Sequence, residues 1–344
     1  MKSRLNPSNS IGVHYFPDTL HYSQADLRRW LPQLQSMGIG WVTLLAPVER
    51  AVPEDFLRGL LEAGIEPVLH FNFSPVNSPG AAALEPLLNA YAGWGVRYTA
   101  IFDRPNQRSA WKPEQWGQND LVERFTDLYL PYLRAVTAAK LIPVLPPLEP
   151  GGDYWDTAFL RGLLQTLERR KTVPSNLVLG AYGFTHGKPL NWGAGGPERW
   201  IEARPYLTPP GEQDQRGFHL YEWYQAISRA VLRSALPVIY LRAGVSGEDE
   251  NNTNDALEAL ASSLRSGQHK QDHRRDAGLL GCNFWLLAHN AGDRADPSAW
   301  FVDGRQPARI AERLKIWQLE QPVSSQNGRT QRQESQLAQL LQPI

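Results

Sequence analysis

Residues 41–71, WVTLLAPVERAVPEDFLRGLLEAGIEPVLHF, contain the alternation that decides the fold. Trp41–Leu45 is a short apolar run of strand length, and Glu66–Phe71 is a second one. The segment 53–64 between them predicts a helix, because its apolar residues recur at helical spacing and a glycine ends it. Those apolar residues are Phe56, Leu57, Leu60 and Leu61.

The same alternation continues in both directions along the chain. Ser23, with Asp26 three residues later, predicts a capped helix start after a first strand at 11–16. Eight strand–helix units predict a parallel sheet closed into a single-domain α/β fold, the (β/α)8 or TIM barrel. The further strands are predicted at 97–102, 141–145, 177–182, 237–241 and 279–286. The further helices are predicted near 82–91, 120–139, 157–168, 218–233, 254–264 and 307–317.

The composition is that of a globular protein, with 42% hydrophobic and 20% charged residues in a chain of 344. The formal net charge is zero, so nothing draws the whole molecule to nucleic acid or to an anionic membrane. Neither is therefore expected as a partner. Cys282 is the single cysteine, which excludes an intrachain disulfide, and its apolar surroundings predict an inert buried thiol.

The ends of the chain differ from its regular middle. We predict a short lead at 1–10, the barrel at 11–321 and a polar tail, rich in Gln and Ser, at 322–344. Leu337, Leu340 and Leu341 could form a short docking helix in that tail. The lead lacks the apolar core of a secretory signal and no stretch has the length of a membrane span, so a cytoplasmic location is the default expectation.

The working residues of such barrels lie in the loops that follow the strands. That rule selects polar and aromatic residues at the predicted strand ends as candidates for a binding site. They are His14, Tyr15, His70, Asp103, Arg104, Asn106, Glu149, Asp153, Tyr154, Trp155, Tyr182, Trp192, Arg242 and Trp285. His186 and His289 could join His14 and His70 near the mouth.

The segment 149–156 has three carboxylates within eight residues, beside two aromatics and a glycine pair. Carboxylates at a barrel mouth suit general acid/base work or hydrogen bonds to sugar hydroxyls. In the alternative reading, Asp156 caps the following helix, while Glu149 and Asp153 are solvated or pair with arginines.

The loop that includes 191–200 is long and rich in Trp and Gly, which favours a ligand wall over a plain connection. The chain has 12 Trp, and this surplus suits either flat sugar faces or loop packing. No spacing typical of zinc ligands, nucleotide-binding glycines or a serine nucleophile occurs, so we expect neither a metal nor a cofactor.

The chain resembles the large clan of retaining glycoside hydrolases that includes cellulases and mannanases. Those enzymes carry Asn-Glu-Pro at the end of strand four, where this chain has Asp-Arg-Pro-Asn at 103–106. Their nucleophilic Glu ends strand seven, where this chain has Arg242 within 237–244, PVIYLRAG. The segments 12–15, 284–285 and 300–305 are also similar to the clan, in which a Trp forms the sugar floor.

The resemblance implies a carbohydrate-active barrel whose two catalytic glutamates are replaced by Arg104 and Arg242. Retaining hydrolysis needs two carboxyl groups roughly 5 Å apart, and a permanently charged arginine can serve in neither role. Three hypotheses follow. The favoured one is a barrel that hydrolyses O-glycosidic bonds of a glycan with Asp103 and Glu149 as a relocated catalytic pair. The alternatives are an inactive barrel that binds an oligo- or polysaccharide without cleaving it, and a barrel that binds a protein partner and holds no sugar at its mouth.

An acidic glycan is a further hypothesis, because guanidinium groups match carboxylate and sulfate. In the alternative, Arg104 and Arg242 are both held in structural ion pairs with neighbouring carboxylates.

Overall fold

The computed structural model describes residues 10–246, 250–266, 278–289, 296, 298–302 and 305–320. Eight parallel strands form a closed barrel in chain order, with β8 paired to β1, which confirms the predicted (β/α)8 fold. The strands are β1 (Ile11–His14), β2 (Trp41–Leu45), β3 (Glu66–Phe71), β4 (Tyr98–Ile101), β5 (Ile142–Leu145), β6 (Val178–Phe184), β7 (Val238–Gly244) and β8 (Leu279–Phe284).

At least one helix follows each strand, and neighbouring helices pack against one another around the barrel. The helices are α1 (Gln24–Ser36), α2 (Glu54–Glu62), α3 (Ala81–Gly93), α4 (Pro113–Trp116), α5 (Leu121–Ala138), α6 (Asp156–Arg169), α7 (Gly196–Arg199), α8 (Leu220–Leu232), α9 (Glu250–Ser266) and α10 (Arg309–Leu319). A small sheet pairs β9 (Ala288–His289) with β10 (Phe301–Val302) beside the end of β8. Within the described ranges, no helix is long and apolar enough to cross a membrane.

Local sequence signals set the helix starts and the faces that the helices bury. The predicted capping box is present: the Ser23 hydroxyl accepts from the Asp26 amide, and the Asp26 carboxylate accepts from the Ser23 amide at 2.8 Å. The four apolar residues predicted for α2 are all buried. Burial of one stripe on each helix against the sheet is the main source of helix stability in such folds.

The barrel interior is filled by side chains, with Trp41 of β2 fully buried among them. Two glycines make room for this residue, Gly12 beside its Cβ and Gly281 beside its indole. A Cβ at Gly12 would lie 2.7 Å from Trp41, and one at Gly281 would lie 2.8 Å from its ring. This part of the barrel is thus a packed core. Cys282 is buried in β8, as predicted, and burial raises the pKa of its thiol.

Two strands extend beyond their predicted ends, and this extension shapes the mouth. β6 continues to Phe184 and β7 to Gly244, because Tyr182 pairs with Arg242 and Phe184 with Gly244 across the two strands. Backbone pairing keeps Arg242 in the strand although its charge interrupts the apolar run. The expectations for residues 1–9 and for the tail at 322–344 lie outside the described residues, so the predicted domain limits stay predictions.

Candidate functional site

The chain turns sharply after β4, at the barrel mouth. Phe102 and Arg104 have positive φ angles of 77° and 44°, which residues other than glycine rarely adopt. The buried Phe102 ring packs edge-on against Phe73, Phe125 and Tyr132, and this packing holds the turn. Strained backbone of this kind concentrates at functional sites. Here it directs Arg104 into a pocket.

Arg104 lies between two carboxylates. Its Nε is 3.2 Å from Asp103 Oδ2, and its Nη1 is 3.5 Å from Glu149 Oε2. The Tyr182 hydroxyl donates to Asp103 Oδ1 at 2.6 Å. Burial lowers the pKa of Arg104, but the negative charges of Asp103 and Glu149 outweigh this and raise it overall. Asp103 therefore accepts hydrogen bonds on both oxygens, whereas Glu149 contacts Arg104 through one.

Arg242 enters the same pocket from β7. Its guanidinium carbon lies 4.5 Å from the centre of the Trp285 ring and 5.2 Å from that of Tyr182. Its Nε is buried and has no hydrogen-bond partner in the described part of the chain. The ion pairs that the structure describes at the mouth involve Arg104 and not Arg242. The two arginines thus have different surroundings.

Two buried histidines lie next to this cation. The His14 ring is 4.6 Å from the Trp285 ring, and neither of its nitrogens has a partner among the described residues. His70 Nε2 is 3.0 Å from the Phe102 carbonyl oxygen, so Nε2 carries the proton and Nδ1 is left as an unpaired acceptor. Burial lowers the pKa of His70 to about 4, and burial with the charge of Arg242 lowers that of His14.

The pocket at the mouth has a volume of about 250 Å³. Burial also lowers the pKa of His186, which follows β6 and lines the pocket beside Glu149. The imidazole there is held neutral, so it can both donate and accept hydrogen bonds at neutral pH. The lining residues are Arg104, Glu149, Pro150, Tyr182, Phe184, His186, Arg242 and Trp285.

Five of the predicted site residues therefore meet in one pocket: Arg104, Glu149, Tyr182, Arg242 and Trp285. Asp103, His14 and His70 adjoin it through these residues. The Trp285 ring is not an open sugar floor, because it is in contact with the Arg242 guanidinium. Its indole N–H donates to Asp296 at 2.7 Å.

Three other predicted residues are engaged in the loop architecture. Asn106 is fully buried, donates to the carbonyls of Glu149 and Tyr154 at 2.9 Å each, and accepts from the Glu149 amide at 2.8 Å. Asp153 accepts from the Arg108 amide at 2.9 Å, and the Tyr154 ring packs against Phe159. Asn106 thereby joins the loops after β4 and β5 and positions Glu149.

The structure places the remaining three predicted residues outside the pocket lining. Tyr15 is buried against Tyr22 and Phe56. Trp155 packs against Tyr206 and Arg216. Trp192 donates its indole N–H to Asp214 at 3.0 Å and has Lys188 Nζ 4.4 Å from its ring centre. The contacts of Trp155 and Trp192 organise the long loop, whereas Tyr15 packs beside β1, and a role of the three residues in binding stays a prediction.

The expectation that Asp156 caps α6 is wrong. Trp155 occupies the N-cap position, and Asp156 is the first helical residue. Its buried carboxylate instead accepts from the Gly151 amide at 2.9 Å, from Gln215 at 2.6 Å and from the Tyr224 hydroxyl at 3.1 Å. Burial raises the pKa of Asp156 to about 6. The carboxylate joins loops that are distant in sequence, which a local capping rule cannot detect.

Sequence reasoning missed Phe184 and Pro150 as lining residues. The apolar run of β6 continues through Gly183 to Phe184, so following the strand two residues further would have found the first. Pro150 offers no such signal. In the part of the chain that the structure describes, no group of three or more His, Cys, Asp or Glu could hold a metal ion.

No protein-family profile matches this sequence, and no curated protein sequence is significantly similar to it. Solved structures, in contrast, share its fold. A monomeric beta-xylosidase from Caulobacter crescentus matches 91% of this chain and 69% of its own, with 12% identity and a TM-score of 0.58. A GH128 endo-beta-1,3-glucanase from Sorangium cellulosum matches 92% of this chain and 100% of its own, with 16% identity and a TM-score of 0.51.

A third similar structure is the cellulose synthase subunit Z from Clostridioides difficile. It matches 90% of this chain and 99% of its own, with 10% identity and a TM-score of 0.53. The chain therefore shares the (β/α)8 barrel fold of these structures. At identities this low the likeness concerns the fold, and fold alone does not determine activity.

Proposed function

We propose that this barrel binds a glycan at its mouth and does not cleave it by the double displacement of retaining glycosidases. The observation that carries the proposal is the position of Arg104, whose guanidinium contacts both Asp103 and Glu149. A guanidinium in contact with both carboxylates would compete with a substrate oxygen for them.

The surroundings of the two carboxylates also argue against a relocated acid and nucleophile. A general acid must hold a proton and donate it toward the leaving oxygen. Asp103 accepts hydrogen bonds on both of its oxygens, from Tyr182 and from Arg104. Arg242 lies where the resemblance places the nucleophile, and a guanidinium neither attacks carbon nor transfers protons at ordinary pH.

The pocket nevertheless suits a sugar. About 250 Å³ is below the range of drug-sized pockets, so one sugar ring at the end or side of a chain would fit. Glu149 and His186 offer acceptors and donors for hydroxyl groups, while Phe184 offers an apolar surface. Glu149 is 28% exposed and keeps one oxygen free of Arg104. Because this oxygen could act on a bound substrate, hydrolysis is the second candidate function.

The test combines a broad glycan array with a turnover assay on each glycan that binds. We expect binding without products, and we expect Asp103→Asn and Glu149→Gln to leave the absence of products unchanged. Products that disappear in Asp103→Asn or Glu149→Gln would overturn the proposal in favour of hydrolysis. Binding to no glycan on the array would overturn it in favour of a protein-binding barrel.

A further inference from the structure

We propose that the glycan is acidic and that Arg242 binds its carboxylate or sulfate group. This inference rests on the proposed glycan binding. It specifies the class of ligand, and it assigns different tasks to two arginines that look equivalent in the sequence.

The charges at the mouth are unevenly distributed. The positive charge of Arg104 is matched by Asp103 and Glu149, both within 3.5 Å. Arg242, in the same pocket, has aromatic rings as its flanking neighbours, at 4.5 Å and 5.2 Å. Ring faces attract a cation but carry no net charge that could neutralise it. An anionic ligand would supply the charge that the described neighbours of Arg242 do not.

The guanidinium is also oriented in advance. Tyr182 and Trp285 fix its position, and Trp285 is itself fixed by its hydrogen bond to Asp296. A guanidinium presents its N–H groups as a planar fork, which carboxylate and sulfate oxygens match in pairs. Because the side chain is already held, little conformational entropy is lost when an anion binds.

Buried donors and acceptors without partners lie on the same side of the mouth. Arg242 Nε and both nitrogens of His14 have no partner among the described residues. A buried polar atom without a hydrogen bond is costly, and such atoms cluster where a ligand or water completes them. His14 is fully buried against Trp285 and does not line the pocket, and its neutral imidazole adds no second positive charge beside Arg242.

Glu149 determines which part of the ligand faces which side. The negative charge of its carboxylate would repel an anionic group placed beside it. The acidic group therefore has its place beside Arg242, and neutral hydroxyls face Glu149 and His186. This arrangement distinguishes a sugar that carries one charge from a free inorganic anion.

The experiment is calorimetric titration of the full chain with tetragalacturonate, with its carboxyl-reduced neutral counterpart and with a sulfated galactose tetramer. We expect at least 10-fold tighter binding of one acidic probe than of the neutral one, because the remaining contacts are shared. Affinity for the acidic probe should fall as NaCl is raised, since added salt weakens the ion pair. Whichever acidic probe binds more tightly shows whether the recognised group is a carboxylate or a sulfate.

Variants of the arginine test whether Arg242 is responsible. Arg242→Gln should lose at least 10-fold in affinity for the acidic probe and little for the neutral one, while Arg242→Lys should recover part of it. Arg134→Gln is the matched control, because Arg134 is an exposed residue of α5 that does not line the pocket. It should bind as the unchanged protein does.

The outcomes separate the two proposals. Equal affinity for acidic and neutral probes, or an unchanged Arg242→Gln, overturns the assignment of Arg242 and leaves glycan binding standing. Binding of none of these probes, together with no binding on the broad array, overturns both.

Discussion

Two halves of the barrel mouth use the same kinds of residues in opposite ways. On the side of β4 and β5, Arg104 is paired with Asp103 and Glu149, and Asn106 satisfies three backbone groups. On the side of β7, β8 and β1, Arg242 and His14 have buried nitrogens without partners in the described residues. We call these the paired side and the unpaired side.

The difference separates architecture from binding. A polar network whose members are satisfied makes the structure rigid, and it leaves few groups free to bond a ligand. Unpartnered buried groups destabilise a protein, and they persist where they serve a function. The paired side therefore holds the loops in place, while on the unpaired side Arg242 lines the pocket and is the contact that the proposed ligand would complete.

Acid should have the largest effect on stability, through His70 of β3, which lies outside both sides and whose pKa burial and the charge of Arg242 lower. The pKa of His70 is about 4 in the folded protein and 6.5 in the unfolded chain, so stability present above pH 6.5 is lost as the pH falls through 4. The shift corresponds to about 3 kcal/mol from this residue. Urea unfolding between pH 7 and pH 4 measures it, and His70→Gln should lose less stability over that range.

Asp156 acts in the opposite direction over part of the same range. Its pKa is raised from 3.8 to about 6 in the folded protein, so its contribution is present below pH 3.8 and lost as the pH rises through 6. Asp156 is present in both His70→Gln and the unchanged protein, so its contribution cancels when their pH profiles are compared. Parallel pH profiles for the two proteins would contradict the role assigned to His70.

Removal of the Asn106 side chain should have the next largest effect, on the paired side. Asn106→Ala leaves the Glu149 amide and the carbonyls of Glu149 and Tyr154 without their partner. We expect a loss of about 2 kcal/mol in the free energy of unfolding. Denaturant unfolding checks this, with the exposed Asn119→Ala as the control. Equal stability of both variants would show that water replaces the Asn106 bonds.

The smallest expected change in stability comes from replacing the two arginines, and it compares the two sides directly. Arg104→Gln removes the counter-charge of two carboxylates and should cost about 1 kcal/mol, since Arg104 is 39% exposed and solvent screens the pairs. Arg242→Gln removes a charge without an ion pair in the described residues and should leave stability unchanged or slightly higher. Equal losses in the two variants, measured by thermal unfolding, would remove the distinction between the sides.

The fold and much of the candidate site could be predicted from the sequence. Short apolar runs and helical spacing of apolar residues indicated the units of the barrel, and the rule that sites follow strand ends selected Arg104, Glu149, Tyr182, Arg242 and Trp285. Phe184 was missed because the predicted strand stopped at Tyr182, two residues before the end of β6. The capping role of Asp156 was wrong because its partners, Gln215 and Tyr224, are distant in sequence.

The sequence by itself determined that the chain is a (β/α)8 barrel and that arginines stand at the two positions where the resemblance implies glutamates. Both conclusions depend on local pattern, since apolar periodicity and residue identity are visible without contacts. Only the tertiary structure decided that Arg104 is paired with carboxylates and that Arg242 is held between Tyr182 and Trp285. The charge of a guanidinium is set by its chemistry, whereas its neutralisation depends on which strand ends the closed barrel brings together.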